Sequence, residues 1–247
     1  MGTANIARAF ASGTSKSTRI QILDVASRDL IKAKEFAKDF QIVRSLGSYE
    51  ELLADPEIDA IYLPLPNSLH AEWAIRSARA GKHVLCEKPL AISLAEAKSM
   101  FRAADQSGVI LREAYPYLAQ PQTIQTRDLI DRGAIGRVQL IRASFGLAFS
   151  DRSNIRLNSS LGGGSLLDAG SYPVSLIRIL AKDRPRRVQA IARWSDNALD
   201  RTLVATIDFE GGLLAQISCS FATGFHRHAL IAGDDGAIEV DYTNHAW

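Results

Sequence analysis

The chain has 247 residues, of which 47% are hydrophobic and 23% charged, so its length allows one large globular domain or two smaller ones. Lysine and arginine total 29 and the acidic residues 27, a net charge of +2 that gives no reason to expect nucleic acid or a membrane surface as partner. Neither a leader segment nor a run of about 20 apolar residues is found. We expect a soluble cytoplasmic protein with reduced thiols.

In the first half of the chain, short apolar runs alternate with segments of helical periodicity. The predicted strands are residues 19–27, 58–65, 83–86 and 109–111. The predicted helices are residues 29–40, residues 67–80 and a segment that begins at Ser93, where Glu96 completes a capping box. Strand alternating with helix at this rhythm predicts a parallel, doubly wound sheet.

After about residue 120 strands come to dominate. Two helices are predicted, at residues 122–132 and 166–180. The predicted strands are residues 138–149, 188–192, 203–209, 213–221, 229–232 and 238–242. Gly211-Gly212 between two of them is a hairpin signal. This pattern predicts an α+β domain with a mostly antiparallel open sheet, and we place the domain boundary between residues 118 and 119, giving domains 1–118 and 119–247.

The first seven residues read Met-Gly-Thr-Ala-Asn-Ile-Ala, a softened form of the dinucleotide fingerprint Gly-x-Gly-x-x-Gly/Ala. Small residues there let backbone amides and a helix N-terminus approach a pyrophosphate. Alone the motif is weak, and small residues occurring by chance are the commoner explanation, but the helix that follows and a strand ending about 20 residues later favour the functional one. No strand precedes the motif. The pyrophosphate-binding residues predicted here are Gly2, Thr3, Ala4, Asn5 and Ile6.

Ser27 and Arg28 follow the next predicted strand, where a dinucleotide-binding protein contacts the adenosine ribose. A carboxylate at this point suits the ribose 2′-hydroxyl of NAD, whereas arginine suits a 2′-phosphate. We therefore expect NADP as the cofactor, with NAD possible. Asp24 comes about three residues too early to be the ribose-binding acid. The alternative for Arg28 is a solvated residue in the first turn of a helix.

Four motifs in register carry a resemblance to a known family: GTANIA at the start, PLPNSLHAEWAI at 64–75, HVLCEKPL at 83–90 and GGGSLLDAGSYPV at 162–174. The chain resembles the glucose–fructose oxidoreductase, inositol dehydrogenase and rhizopine-catabolism (Gfo/Idh/MocA) family, nearest the dihydrodiol dehydrogenases and NADP-dependent xylose dehydrogenases. The resemblance implies an α/β Rossmann nucleotide-binding domain, here with its first strand missing, and an α+β domain with an open sheet. Family members continue past Trp247, so we expect a chain shortened at both ends.

The resemblance also implies catalytic roles for three residues. Lys88 matches the family's catalytic lysine, whose ammonium at the end of a strand stabilises developing alkoxide charge. Tyr172 matches the proton donor or acceptor, and a cation such as Lys88 would lower the pKa of its phenol. Asp168 matches an acid that binds substrate or orients the site. Outside such motifs, a lone lysine is usually a solvated charge and a lone tyrosine on an apolar helix usually belongs to the core.

Further cofactor contacts are implied near the nicotinamide. Glu87 would position the nicotinamide side of the cofactor beside Lys88, and Pro66, Asn67 and His70 lie where family members contact the nicotinamide ribose. Asn67 is equally well explained as a helix N-cap.

Two other motifs have simpler explanations. Gly162 to Gly164 permit a close backbone approach more readily than they form a phosphate site. His226 and His228 fit the alternation of a surface strand better than a metal pair, and we predict no metal site.

The sequence thus predicts an NAD(P)-dependent oxidoreductase that transfers a hydride between the nicotinamide and a secondary alcohol or carbonyl of a sugar, polyol or diol. The alternatives are a nucleotide-sensing regulatory relative and a truncated, non-catalytic fragment. We expect a small-molecule substrate, no nucleic-acid or membrane partner and, in an intact chain, a homodimer formed through the open sheet.

Overall fold

The structure, a computed structural model, describes residues 1–241. The chain divides into two units between Ala114 and Tyr115, whereas the sequence predicts the boundary between residues 118 and 119. Among the residues described, no helix is both long and apolar enough to span a membrane.

The first unit alternates helices and parallel strands. Its helices are α1 (Asn5–Thr14), α2 (Leu30–Phe40), α3 (Tyr49–Ala54), α4 (His70–Arg79) and α5 (Leu94–Ser107). Its strands are β1 (Asp24–Ala26), β2 (Arg44–Leu46), β3 (Ala60–Leu63), β4 (His83–Glu87) and β5 (Leu111–Ala114). β1 pairs in parallel with β2, and β3, β4 and β5 pair in parallel in that order. The predicted parallel, doubly wound arrangement is confirmed.

The first two residues of the chain are hydrogen-bonded to both parallel sheets, the pair β1–β2 and the set β3–β4–β5. The amino group of Met1 donates to the carbonyl oxygen of Tyr62 in β3 at 3.0 Å, and the amide of Gly2 donates to Ala26 in β1 at 2.7 Å. Met1 is buried among the side chains around β3 and β4. Residues 1 and 2 therefore lie where a central strand would join β1 to β3, and in the described chain no strand precedes α1.

Short polar side chains cap α2, α3 and α5 of the first unit. Asp29 begins α2 by accepting hydrogen bonds from the amides of Ile31 and Lys32. Ser93 begins α5 by accepting from the amide of Glu96 at 3.2 Å, as predicted. The Glu96 carboxylate, however, accepts from the amide of Ile92 rather than from that of Ser93, so the reciprocal half of the capping box lies one residue earlier than expected.

Several boundaries in this unit differ from the sequence prediction. The helix predicted at 67–80 is a 3₁₀ turn, Asn67–Leu69, followed by α4. Strand β1 spans only the end of the predicted 19–27. Neither β2 nor α3 was predicted, because both are too short to show a clear period, although Ser48 caps α3 through the amide of Glu51.

The second unit is a sheet covered on one face by helices. Its helices are α6 (Pro121–Asp131) and α7 (Ser171–Ala181). Its strands are β6 (Val138–Ala148), β7 (Pro185–Trp194), β8 (Asp200–Phe209), β9 (Leu214–Ser220), β10 (Ala222–Gly233) and β11 (Ala237–Val240). Their order, within the part of the chain described, is β11-β10-β6-β9-β8-β7. Tyr242, predicted as the last residue of β11, lies outside the described residues.

The predicted mostly antiparallel open sheet is confirmed, with one exception. β6 and β9, at its centre, run parallel, and every other pairing among the described strands of this sheet is antiparallel. The predicted hairpin joins β8 to β9, with Gly212 at φ +90°, a conformation that glycine adopts readily.

Alternation along the strands separates a core face from an open face. On β6, Ile141 and Phe145 are buried beneath α7, while Arg142 points to the opposite side. That opposite side carries a shallow groove of about 840 Å³ along β6, β9, β8 and β7. Ile191 and Val204 on this face are 69% and 52% exposed, so the sheet presents apolar surface there.

The helix predicted at 166–180 has two parts. Residues Leu166–Gly170 form a π-helical turn, and α7 follows directly. The Asp200 carboxylate fixes the start of this turn by accepting from the Ser165 hydroxyl and the Leu166 amide, each at 2.7 Å. Such turns are rare and are frequent at functional sites, and this one contains the predicted site residue Asp168.

Candidate functional site

The predicted pyrophosphate-binding residues form the turn between Met1 and α1. Gly2 has φ +84°, and a Cβ added there would lie 3.0 Å from Leu65 Cδ2, so the turn requires glycine. Ala4 is the N-cap of α1 and contributes no capping side chain, while Asn5 and Ile6 are exposed. With Thr3 partly exposed, small residues and an uncapped helix N-terminus fit a pyrophosphate group here.

Ser27 and Arg28 follow β1, as the sequence predicts. Ser27 is buried and its hydroxyl accepts from the amide of Asp29 at 3.2 Å. Arg28 is exposed and lies against the phenol of Tyr49, whose pKa is raised by burial and lowered by this guanidinium. An exposed guanidinium at this position fits a 2′-phosphate.

Asp24 lies within β1, as the sequence analysis expects, and its carboxylate is fully buried. It accepts from Arg44 Nε at 2.5 Å. Burial raises the pKa of Asp24, although Arg44 lowers it. This acid is engaged in an internal ion pair.

Pro66, Asn67 and His70 follow β3. Asn67 is the first residue of the 3₁₀ turn, and Pro66 is the N-cap position of that turn. The His70 side chain is completely buried, with Nδ1 at 2.8 Å from the carbonyl oxygen of Pro89 and Nε2 at 2.8 Å from that of Leu65. The sequence did not predict these contacts.

Glu87 and Lys88 lie at the carboxyl end of β4 and the turn that follows it. Tyr62 in β3 donates its phenol hydrogen to Glu87 Oε1 at 2.6 Å, and the Lys88 amide donates to Glu87 Oε2 at 3.3 Å. Burial and the Glu87 charge raise the pKa of Tyr62. The Tyr62 ring also stacks on Phe10 at 4.1 Å between centroids. Each oxygen of the Glu87 carboxylate therefore accepts a hydrogen bond.

Glu113 at the end of β5 also contacts this turn. Its Oε1 accepts from the amide of Leu90 at 2.7 Å. Burial raises the pKa of Glu113, while the Leu90 hydrogen bond and the charge of Lys88 lower it. Glu113 is not among the site residues that the sequence predicts.

In the second unit, Tyr172 is the second residue of α7 and is 4% exposed. Its ring contacts those of Tyr115, Tyr117 and Phe145, with centroids 5.6, 5.8 and 5.6 Å away. These aromatic contacts fix the direction of the phenol.

Asp168, in the π-helical turn, pairs with Arg156. The distance from Asp168 Oδ2 to Arg156 Nε is 3.0 Å, and the Asp168 side chain is 13% exposed. The Arg156 guanidinium also lies over the Phe149 ring, 5.9 Å from its centroid. Arg156 was not predicted, because it lies outside the recognised motifs.

The remaining sequence candidates have structural explanations. A Cβ on Gly163 would lie 2.4 Å from the carbonyl oxygen of Arg156, so this glycine permits a close backbone approach, as the sequence favours. His226 Nδ1 contacts the carbonyl oxygen of Gly224, and His228 Nδ1 contacts Asp241 Oδ1. Within residues 1–241 no cluster of three or more histidine, cysteine or acidic side chains could hold a metal ion.

Comparison with known proteins identifies the family. Residues 1–115 match the oxidoreductase family with an NAD-binding Rossmann fold, and residues 123–239 match the Gfo/Idh/MocA C-terminal domain. The chain belongs to the Gfo/Idh/MocA oxidoreductase family. The family and fold class predicted from the four motifs are confirmed.

Similar proteins include enzymes of the branch predicted from sequence. A trans-1,2-dihydrobenzene-1,2-diol dehydrogenase from Danio rerio is 38% identical over 92% of this chain and 67% of its own length. The D-xylose 1-dehydrogenase (NADP(+)) 2 of Haloferax volcanii is 33% identical over 98% of this chain and 74% of its own.

Among solved structures, a 3-ketoreductase from Actinomadura kijaniata, in complex with NADP and TDP-benzene, superposes with a TM-score of 0.88. It is 28% identical and covers 99% of this chain and 83% of its own. The chain spans about two thirds of the length of the Danio rerio dehydrogenase and about three quarters of that of the Haloferax volcanii dehydrogenase.

The raised pKa of Glu113 makes a prediction about stability. Because burial disfavours the charged carboxylate, the folded protein loses stability as pH rises above the carboxyl's unfolded-state pKa and through its raised folded-state pKa. Glu113→Gln keeps an oxygen to accept from Leu90 and removes this loss. In urea unfolding at a series of pH values, we expect the stability of the variant relative to wild type to increase as pH rises through that window.

The matched control is Glu35→Gln, which changes an exposed carboxylate on α2. Its stability relative to wild type should be nearly constant with pH. If the stability of Glu113→Gln relative to wild type stays constant or falls as pH rises, the assigned effect of burial on the pKa of Glu113 is contradicted.

Proposed function

We propose that this protein is an NADP-preferring dehydrogenase or reductase that acts on a secondary alcohol or the matching carbonyl of a sugar, polyol or diol. The observation that carries the proposal is the construction of the turn after β4, in which Glu87, Pro89 and Leu90 on both sides of Lys88 are hydrogen-bonded to β3, α4 and β5 respectively. In open α/β sheets, ligands bind at the carboxyl ends of the strands, where this turn lies. Two relatives that are 38% and 33% identical to this chain are a trans-1,2-dihydrobenzene-1,2-diol dehydrogenase and a D-xylose 1-dehydrogenase.

The residues at the ends of β1 and β3 would hold the dinucleotide. The turn at Gly2 and the N-terminus of α1 suit the pyrophosphate, and Arg28 suits a 2′-phosphate. Asn67 and Glu87 would contact the nicotinamide end. When bound, the nicotinamide supplies or accepts the hydride.

Lys88, Tyr172 and Asp168 would act on the substrate. The Lys88 ammonium would donate a hydrogen bond to the substrate oxygen and stabilise alkoxide charge there. Tyr172 would pass the hydroxyl proton to or from that oxygen. Asp168, with its carboxylate held by Arg156, would accept a hydrogen bond from a neighbouring substrate hydroxyl.

Replacement of Lys88 by alanine tests the mechanism. Removing one donor to developing oxyanion charge costs roughly 10²–10³-fold in kcat. We expect Lys88→Ala to lose turnover on this scale on any accepted pentose, hexose or diol, while NADPH affinity changes less than about threefold. Lys98→Ala, on the exposed face of α5, is the control and should retain wild-type turnover. Comparable turnover in the two variants would refute the role of Lys88.

Replacement of Arg28 tests the cofactor preference. Arg28→Ala should weaken NADPH by roughly 10-fold or more, as expected for loss of a charged hydrogen bond worth about 1.5–3 kcal/mol. NADH affinity should change little, because NADH has no 2′-phosphate. Fluorescence titration with both nucleotides measures this, and Lys34→Ala, exposed elsewhere on α2, is the control. Equal losses for NADPH and NADH would remove the 2′-phosphate assignment.

We further propose that the open face of the sheet joins two copies of the chain. Ile191, Val204 and Leu214 lie on that face and are 69%, 52% and 47% exposed. Apolar side chains on adjacent strands, interspersed with polar groups, suit an isologous contact of sheet on sheet.

A charge on this face tests the dimer. Ile191→Arg buries an unpaired guanidinium in the proposed contact, so we expect a dimer in the wild type and a monomer in the variant by sedimentation velocity. Ile31→Arg is the matched control, since Ile31 is 70% exposed and lies on α2 of the first unit, not on a strand of this sheet. A wild-type monomer, or an Ile191→Arg variant that remains dimeric, would contradict the proposal.

A further inference from the structure

His70 faces two hydrogen-bond acceptors from inside the first unit. It is the first residue of α4, and none of its side chain is exposed. Nδ1 lies 2.8 Å from the carbonyl oxygen of Pro89, and Nε2 lies 2.8 Å from the carbonyl oxygen of Leu65. Neither residue can donate through that oxygen, so both hydrogen atoms must come from the imidazole ring.

Only the doubly protonated ring meets this requirement. A neutral imidazole has one N–H, and its second nitrogen would then direct a lone pair at a carbonyl lone pair across 2.8 Å. An imidazolium donates to both oxygens. Burial is the largest influence on the pKa of His70 and lowers it on balance, while the two carbonyls and the nearby carboxylates of Glu87 and Glu96 act in the opposite direction. The ring lies near two negatively charged carboxylates and the negative ends of two carbonyl dipoles. The assignment of the imidazolium therefore rests on the two 2.8 Å contacts.

The two carbonyls belong to the segments that the proposed function depends on. Leu65 follows β3, and its Cδ2 is the atom that limits the space at Gly2 in the nucleotide-binding turn. Pro89 follows Lys88 directly. A single ring therefore fixes the distance between the segment that shapes the pyrophosphate turn and the segment that presents Lys88.

We propose that His70 is held as a buried imidazolium and is a positioning residue, which ties Leu65 to Pro89 and so places the Lys88 ammonium. Both ring nitrogens of His70 contact protein carbonyls. The catalytic consequence rests on the proposed function, whereas the protonation state and the two hydrogen bonds belong to the protein without any ligand.

The protonation state can be measured on the wild-type chain. We expect ¹⁵N NMR of histidine-labelled protein near pH 7 to show, for His70, two ring nitrogens that each couple to a bound hydrogen. The His70 signals are those missing from the spectrum of a His70→Asn variant or, should that variant not fold, those protected longest from exchange with solvent hydrogen, because His70 alone among the described histidines has no exposed side chain. One protonated and one bare nitrogen would overturn the proposal.

The positioning role is measured by kinetics. His70→Asn keeps at most one donor and has no positive charge, so the turn that carries Lys88 loses one of its anchors. Misplacement of a reacting group by about 1 Å costs up to about 10²-fold. We therefore expect kcat to fall about 10- to 100-fold while KM for NADPH and its Kd from fluorescence change less than about threefold. His70→Gln, with a longer amide, should recover part of the loss.

His83→Gln is the matched control. His83 Nδ1 accepts from the amide of Ile110 at 2.9 Å, so it too bonds the backbone, but it is exposed and lies at the opposite end of β4 from Lys88. We expect wild-type kcat for this variant. Loss of NADPH binding in step with kcat in His70→Asn, or an equal kcat in His70→Asn and His83→Gln, would overturn the positioning role.

The two proposals fail in different ways. If the wild type binds no nucleotide and turns over no sugar or diol, the proposed function fails, while the ¹⁵N spectrum still decides the state of His70. If the wild type is active and His70 carries a single proton, the proposed function stands and the inference about His70 falls.

Discussion

The turn from Glu87 to Leu90 is held by groups that it does not itself supply, and the candidate site depends on that constraint. Tyr62 donates to Glu87 from 25 residues away, His70 contacts Pro89 from 19 away, and Glu113 accepts from Leu90 from 23 away. Backbone polar groups removed from water must be paired, so each of these partners is required for stability as well as for geometry. The position of Lys88 is therefore a property of three neighbouring elements and not of its own motif.

Much of the fold follows from local signals. The alternation of strand and helix before Ala114, the cap at Ser93 and the hairpin at Gly211-Gly212 are all visible within about ten residues of sequence, and the structure has each of them. The parallel pairing of β6 with β9 could not be predicted in the same way. It joins strands separated by some 65 residues and by two intervening strands in the chain, and only tertiary packing decides which edges meet.

The candidate site likewise contains residues that local motifs reveal and residues that only tertiary packing brings in. Residues in compact motifs, such as Gly2, Lys88 and Tyr172, could be proposed from the sequence, and their catalytic and binding roles stay proposals. Their partners could not be found, because Tyr62, Glu113 and Arg156 contact the motif residues through the register of strands and turns. One signal was available: Tyr62 is a lone hydroxyl-bearing residue in an otherwise apolar strand, and a buried phenol normally finds a hydrogen-bond acceptor.

The charges around the turn explain how an ammonium can be kept beside buried carboxylates. Glu87 and Glu113 bring negative charge to the ends of β4 and β5, and Lys88 lowers the pKa of Glu113. With His70 doubly protonated, as proposed, Lys88 and His70 are two cations that partly offset the three carboxylates of Glu87, Glu96 and Glu113. A neutral His70 would remove one of the two cations. It would also place the lone pair of one ring nitrogen against a lone pair of a carbonyl oxygen. Burying charge is costly unless it is paired and hydrogen-bonded, and the carbonyls of Leu65 and Pro89 supply the two hydrogen bonds that an imidazolium at this position requires.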